Sequence, residues 1–264
     1  MGGKYNHAAC QVVRKRQVEE SGRTSHTVSC LVTNFSPPSE KRPSLLLFSE
    51  VQTFFHEFGH GMHSLLSSND HTRLNWDWNA VEMDFLEVPS MCFENWVFHE
   101  QVLEKSSAHY KTGETLPSEI LHNVVKASRA HEAFKWKRLI GMSVFDMSLH
   151  SKDGNKKELY TLWRETMKKY TSIEVQQDTA MYASWQHLIG YNSGYYSYLY
   201  SEMIAKDLFS VFEEKGILSK QVGSELRKKI LEPVCLEEGN TMIRSFLGRD
   251  FKQEAFLNSF TLKN

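Results

Sequence analysis

The ten residues FFHEFGHGMH, 54–63, constrain this chain more than any other stretch. His56 and His60 are four apart, and on a helix that spacing sets both imidazoles on one face, ~6 Å from each other. Both rings can then reach one zinc ion at ~2 Å. Glu57 falls on the flank of that face, where it can touch a water on the metal rather than the metal itself. Gly59 and Gly61 lie inside the same segment. Each costs a helix ~1 kcal/mol relative to alanine, so something must approach closely there. The stretch predicts a helix over 49–67 that carries a metal centre, with Glu57 as general base.

His63 lies on nearly the same bearing as His56, but two turns of rise carry it ~10 Å along the axis. It is too far away to share a metal with His56. It reads instead as a residue supporting the centre from behind, or a structural one. A catalytic zinc takes three protein ligands and keeps one position open, so the third ligand must come from elsewhere. Downstream, Glu82, Asp84, Glu87 and Glu94 are candidates. A helix is predicted to begin within DFLEVPS, with Asp84 as N-cap and Glu87 three residues later, as in a capping box. Pro89 then falls near the first turn, where proline is tolerated. Glu87 is favoured because it starts a helix that can return antiparallel to the first. Glu94, two turns on, suits a hydrogen-bond acceptor for a ligand histidine. Spacing alone leaves the choice open.

The run WQHLIGYNSGYYSYLYSE, 185–202, holds five tyrosines and a histidine. A buried aromatic stripe is the ordinary meaning of such a run. Here Gly190 and Gly194 break it into a loop, and the hydroxyls of Tyr191, Tyr195 and Tyr198 would all need buried partners. Tyrosine stays protonated at neutral pH and can donate to an oxyanion.

Elsewhere the periodicity is mainly helical. Residues 25–35, SHTVSCLVTNF, read as a strand, with 4–13 as its partner. Further helices are predicted at about 94–110, 117–150, 156–170, 194–214, 219–231, 237–247 and 251–258, with turns at 111–117 and 150–156. The fold class is mainly α with a small β-sheet near the N-terminus: 1–45 is the sheet region and 46–264 the helical region.

The formal net charge of −1 gives no global attraction for nucleic acid or an anionic membrane surface. No apolar run approaches the length of a membrane span, and MGGKYNHAAC lacks the basic and apolar regions of a signal peptide. Cys10, Cys30, Cys92 and Cys235 are widely spaced without a CxxC pair, which fits free thiols in a reducing compartment. The expected location is cytoplasmic, with mitochondrial placement as the alternative. A cysteine nucleophile at Cys92 or Cys10 has no identifiable activating partner.

Taken together, FFHEFGHGMH, DFLEVPSMCFENW, HYKTGETLP, HLIGYNSGYYSYL and FLGRDFKQEAFL, with GKYNHAAC and LVTNFS, run in order along the chain. The set resembles the thimet oligopeptidase and neurolysin family of zinc metallopeptidases. The HLIGY spacing is more like mitochondrial intermediate peptidase, whereas GKYNHAAC and FLGRDFKQEAFL look like the thimet branch. The resemblance implies a zincin-like helical catalytic domain over 1–264 that cleaves short peptides internally. Short peptides are the expected partners, with no nucleic acid or membrane, and the chain is expected to be a monomer. It implies one zinc per chain on His56, His60 and Glu87, with Glu57 as base. It also implies that His187, Tyr191, Tyr195 and Tyr198 line the substrate, with Tyr198 the main oxyanion donor. Glu94, Asp84 and His63 would support the ligands from behind. The family's long N-terminal helical half is expected to be missing, so the alternative is a truncated, catalytically impaired form that binds zinc or peptides.

Overall fold

The computed structural model describes residues 7–130, 132–151 and 158–260. It is mainly helical, as the periodicity indicated, with two short antiparallel ribbons near the N-terminus. Strand β1 (Ala9–Arg14) pairs with β4 (Val28–Val32) in the register Ala9↔Val32 to Val12↔Ser29, with a bulge before Arg14↔Val28. Between them β2 (Gln17–Val18) and β3 (Thr24–Ser25) form a second ribbon. The β1–β4 ribbon lies on helix α1 (Phe48–Leu66): Cys10 is fully buried, and Ser29 Oγ meets Ser64 Oγ at 2.7 Å.

Helix α2 (Val88–Glu94) packs antiparallel to α1, so that Ser90 faces Gly59 and Glu94 faces Gln52. It begins later than the capping-box reading places it. The N-cap is Glu87, without a side-chain capping bond, and Pro89 sits in the first turn. Asp84 belongs to the preceding turns, and its carbonyl accepts the Ser201 hydroxyl at 3.0 Å. It is therefore not the cap, because the residues after it fold as turns and the helix opens only past Glu87.

The predicted helix over 94–110 is divided. A tight turn spans Asn95–Phe98, His99 is extended, and α3 occupies Glu100–Ser106. The predicted helix over 117–150 is likewise two, α4 (Ser118–Arg129) and α5 (Glu132–Leu149), because Ala130 takes an extended backbone. The turn at 111–117 is present, whereas most of the turn at 150–156 lies outside the described residues.

Then follow α6 (Leu159–Thr171), the single turn α7 (His187–Gly190), and α8 (Ser197–Lys215). The chain continues through α9 (Lys220–Leu226), α10 (Gly239–Leu247) and α11 (Glu254–Ser259). The larger core gathers α2, α8 and α10 through Val88, Ile204, Leu208, Met242 and Ile243. A second joins α5 to α6 through Met142, Phe145, Leu162 and Trp163, with Trp185 from the segment before α7. The loop between α7 and α8 carries Tyr191, Tyr195 and Tyr196, with Tyr198 following in the first turn of α8; Tyr191 and Tyr198 pack on the first core and Tyr195 on the second.

Candidate active site

On α1, His56 and His60 turn their Nε2 atoms to one point. Each Nε2 stands 3.2 Å from the same oxygen, Oε2 of Glu87. The three ligand-type atoms lie within 4.8 Å of one another, and they are the one such His/Cys/Asp/Glu group among the described residues. A tetrahedral zinc with bonds of ~2.0–2.1 Å separates its ligand atoms by ~3.3 Å. The donor spacing therefore fits that ion, and two imidazoles with a carboxylate are a suitable donor set.

The surroundings fix each donor. His56 Nδ1 meets Glu94 Oε1 at 2.6 Å, and Gln52 Nε2 donates to Glu94 Oε2 at 2.5 Å. An acceptor on Nδ1 leaves Nε2 free to ligate. Glu87 is 2 % exposed. Its Oε2 accepts from Ser90 Oγ at 2.9 Å and its Oε1 from the Tyr191 hydroxyl at 3.0 Å. Burial disfavours its charged form most strongly, but the His60 charge and the His56 hydrogen bond outweigh that and hold its pKa well below the usual carboxylate range. Glu87 is thus an anion ready for a cation. Close approach of the two helices makes this possible: a β-carbon on Gly59 would stand 2.6 Å from Ser90 Cα. Gly61 does not share that role, since a β-carbon there meets Leu31 Cδ2 at an ordinary 3.5 Å.

Glu57 is 6 % exposed, and its Oε2 has no hydrogen-bond partner. Burial pushes its pKa up, against the pull of His56 and His60 and a hydrogen bond from the Cys10 amide. The N-terminal ribbon therefore reaches the site through a backbone N–H. A cleft of about 640 Å³ opens over these groups, lined by His56, Glu57, His60 and Glu87 and further by His187, Tyr191 and Tyr198. Burial, then the Glu87 charge, push the Tyr198 phenol far up, and its side chain hydrogen-bonds Tyr191. His187 is driven toward its neutral form by burial and by His7.

The structure does not bring every expected residue to the cleft. Tyr195 packs behind it, edge-on against Trp185 with ring centroids 4.5 Å apart. Asp84 lies toward Tyr196 and Tyr200, whose phenols its charge pushes up after burial. His63 is buried between the rings of Trp76 and Phe85. Sequence reasoning missed Ser90, Gln52 and the Cys10 amide. Ser90 had a signal, because a serine three residues after an acid at a helix start can bond back to it.

A helical scaffold with two histidines one turn apart, an acid from an adjoining helix and a buried glutamate on the cleft wall defines a protein built to hold a metal beside a base. The chain belongs to peptidase family M3, whose model matches residues 2–262. It is 33% identical to saccharolysin of Saccharomyces cerevisiae over 266 residues, covering 99% of this chain and 37% of that protein. It is 34% identical to a thimet-like oligopeptidase of Dictyostelium discoideum over 264 residues, covering 98% of this chain and 39% of that one. The chain thus spans under two-fifths of the length of these relatives. Its fold is similar to the crystal structure of BsuCP, with a TM-score of 0.59 at 16% identity over 84% of this chain and 48% of that one.

Proposed function

We propose that this chain is a zinc-dependent endopeptidase of the HExxH type that hydrolyses internal bonds of short peptides. The observation that carries the reading is the equal 3.2 Å spacing of His56 Nε2 and His60 Nε2 from Glu87 Oε2, beside the unpartnered Oε2 of Glu57. His56, His60 and Glu87 hold one zinc per chain. Zinc there would lower the pKa of water and polarise a peptide carbonyl. Glu57 takes the proton from the attacking water as its oxygen bonds to the carbonyl carbon. The Tyr198 hydroxyl donates to the oxyanion, with His187 lining the substrate. When the carbon–nitrogen bond breaks, Glu57 returns that proton to the leaving amine. Tyr191 steadies Glu87 rather than the substrate, and Tyr195 packs behind both. Glu94 orients His56, while His63 and Asp84 take no part in the chemistry.

Residues 1–264 act as one catalytic unit, with the ribbon region of 1–45 supplying the Cys10 amide and 46–264 the remaining groups. We place it in the cytoplasm as a monomer with peptide partners only, the mitochondrion being the alternative. No helix among the described residues is long and apolar enough to cross a membrane.

A second reading has its own observation, the chain's coverage of only 37% and 39% of its relatives. It is a form that binds zinc or peptides with little turnover. An internally quenched peptide, incubated with zinc-loaded protein with and without chelator, separates the two. Chelator-sensitive cleavage that Glu57→Gln abolishes without loss of zinc supports the peptidase. Stoichiometric zinc without cleavage supports the second reading.

A further inference from the structure

The loop bearing the tyrosines is held from beneath by a residue that no ligand or motif argument touches. Asp146, on α5, is fully buried. Its Oδ1 accepts the Ser193 N–H at 3.1 Å, and its Oδ2 accepts the Tyr195 N–H at 3.1 Å. His150 Nδ1 stands 2.9 Å from Oδ1 and 3.0 Å from the Asp146 carbonyl oxygen. Ser193 has φ +62°, the left-handed region that non-glycine residues seldom enter. Backbone amides converging around such a residue form a concave nest that binds an anion. In this chain the anion is a side chain of the same molecule, 47 and 49 residues away in sequence.

We propose that Asp146 is the positioning residue of the tyrosine loop, setting where Tyr191 and Tyr198 stand relative to the metal ligands. Three features make the clamp decisive. The loop, residues 191–196, contains no helix or strand and is preceded only by the single turn α7. Its left-handed residue is unfavourable by ~1 kcal/mol without compensation. Charge-assisted bonds to a buried carboxylate are about twice as strong as neutral ones, which supplies that compensation. The nest sits between Tyr191 in the loop and Tyr198 in the first turn of α8, so releasing it lets both hydroxyls shift. Tyr191 reaches Glu87, and Tyr198 faces the cleft. Asp146 touches neither the cleft nor the ligands, and the assignment of the tyrosines' task rests on the peptidase reading above.

The test has an arm that needs no variant and no activity. In the zinc-loaded protein, amide hydrogen exchange read residue by residue should show Ser193 and Tyr195 protected roughly 100-fold over exposed Asn192, although none of the three lies in a helix or strand. Equal exchange at all three positions overturns the clamp. In the second arm, Asp146→Asn keeps the shape but has one carbonyl acceptor for two amides. Exchange across 190–196 should then rise about tenfold or more, with α1 and α2 unchanged and zinc affinity lowered by no more than Tyr191→Phe lowers it. On a quenched peptide, kcat should fall roughly 10–100-fold with KM within about threefold. Faster exchange spread evenly through α5 and α6 would mean core loss rather than loop release, and would also overturn the proposal. If the parent protein cleaves nothing, the peptidase reading fails, while the exchange arm still judges the clamp.

Discussion

The Tyr191 hydroxyl donates to Glu87 Oε1 at 3.0 Å, which ties the tyrosine loop to the carboxylate of the His56–His60–Glu87 cluster across 104 residues of sequence. Tyr191 and Tyr198 are thereby set to different tasks, although the residues alone offer both as buried phenols in one run. Tyr191→Phe should weaken zinc binding about 10–100-fold, the usual effect of removing a partner of a ligand. Tyr198→Phe should leave zinc affinity unchanged and lower kcat ~10²–10³-fold, as loss of an oxyanion donor does. Competition titration against a zinc chelator, run beside peptide cleavage, checks both. Identical behaviour of the two variants would refute the division.

The two helix glycines should also part company. Gly59→Ala would push a β-carbon to 2.6 Å from Ser90 Cα and 3.0 Å from the Pro89 carbonyl, both backbone. Overpacking of that kind is unfavourable by ~1–3 kcal/mol, and any retreat of α2 carries Glu87 away from the histidines. Gly61→Ala meets only a side-chain methyl at 3.5 Å and gains up to ~1 kcal/mol of helix propensity. Urea unfolding with zinc quantitation should show the first variant destabilised and poor in metal, the second as stable as the parent or more so. A Gly59→Ala protein with full zinc and unchanged stability would refute the close-approach account.

These contrasts show where the sequence was legible. His56, Glu57 and His60 were readable because a four-residue helical spacing converts directly into geometry. Spacing only favoured Glu87 among four acids and the family resemblance named it; the antiparallel α2 is what brings its carboxylate to the histidines. The helix start was misplaced because Asp84 and Glu87 mimic a capping box, whereas tertiary contacts with α1 set where α2 begins. The break at Ala130 had no proline or glycine to announce it. Asp146 was invisible for a different reason. Its partners are backbone amides, which every loop residue possesses, so no residue type advertises the bond.

His63 carries a pH signature. Burial, followed by the charge of His60, lowers its pKa to about 3, and neither ring nitrogen has a hydrogen-bond partner. An unfolded chain protonates this imidazole near pH ~6.5, whereas the folded protein resists until about 3. Between those values the unfolded state binds more protons. There is no penalty above pH ~6.5, and stability falls as the pH drops below it, by up to ~1.4 kcal/mol per unit. His63→Leu should make the stability profile shallower by about one proton between pH ~4 and ~6. Urea titrations at several pH values, with chelator in both proteins so that metal release does not contribute, provide the slopes. Parallel profiles would show that the ring is hydrated or paired in solution.

The cysteines provide the last discrimination, between a metal-dependent reaction and a thiol nucleophile. Cys30 is exposed, whereas Cys10 and Cys92 are buried. Burial, then the Glu57 charge, push Cys10 to about 11, and burial with Glu202 pushes Cys92 to about 12. At pH 8 their thiolate fractions are then only ~10⁻³ and ~10⁻⁴, and the thiolate is the reactive form. Iodoacetamide at that pH should modify Cys30 first and spare Cys10 and Cys92 in the native protein, as peptide mapping would show. Peptide cleavage should remain within about twofold of the untreated rate, since Cys30 lies outside the cleft lining and is not asked to react. Rapid labelling of Cys10 or Cys92 that keeps pace with loss of cleavage, in protein retaining its zinc, would restore the thiol mechanism and remove Glu57 from its place as the base.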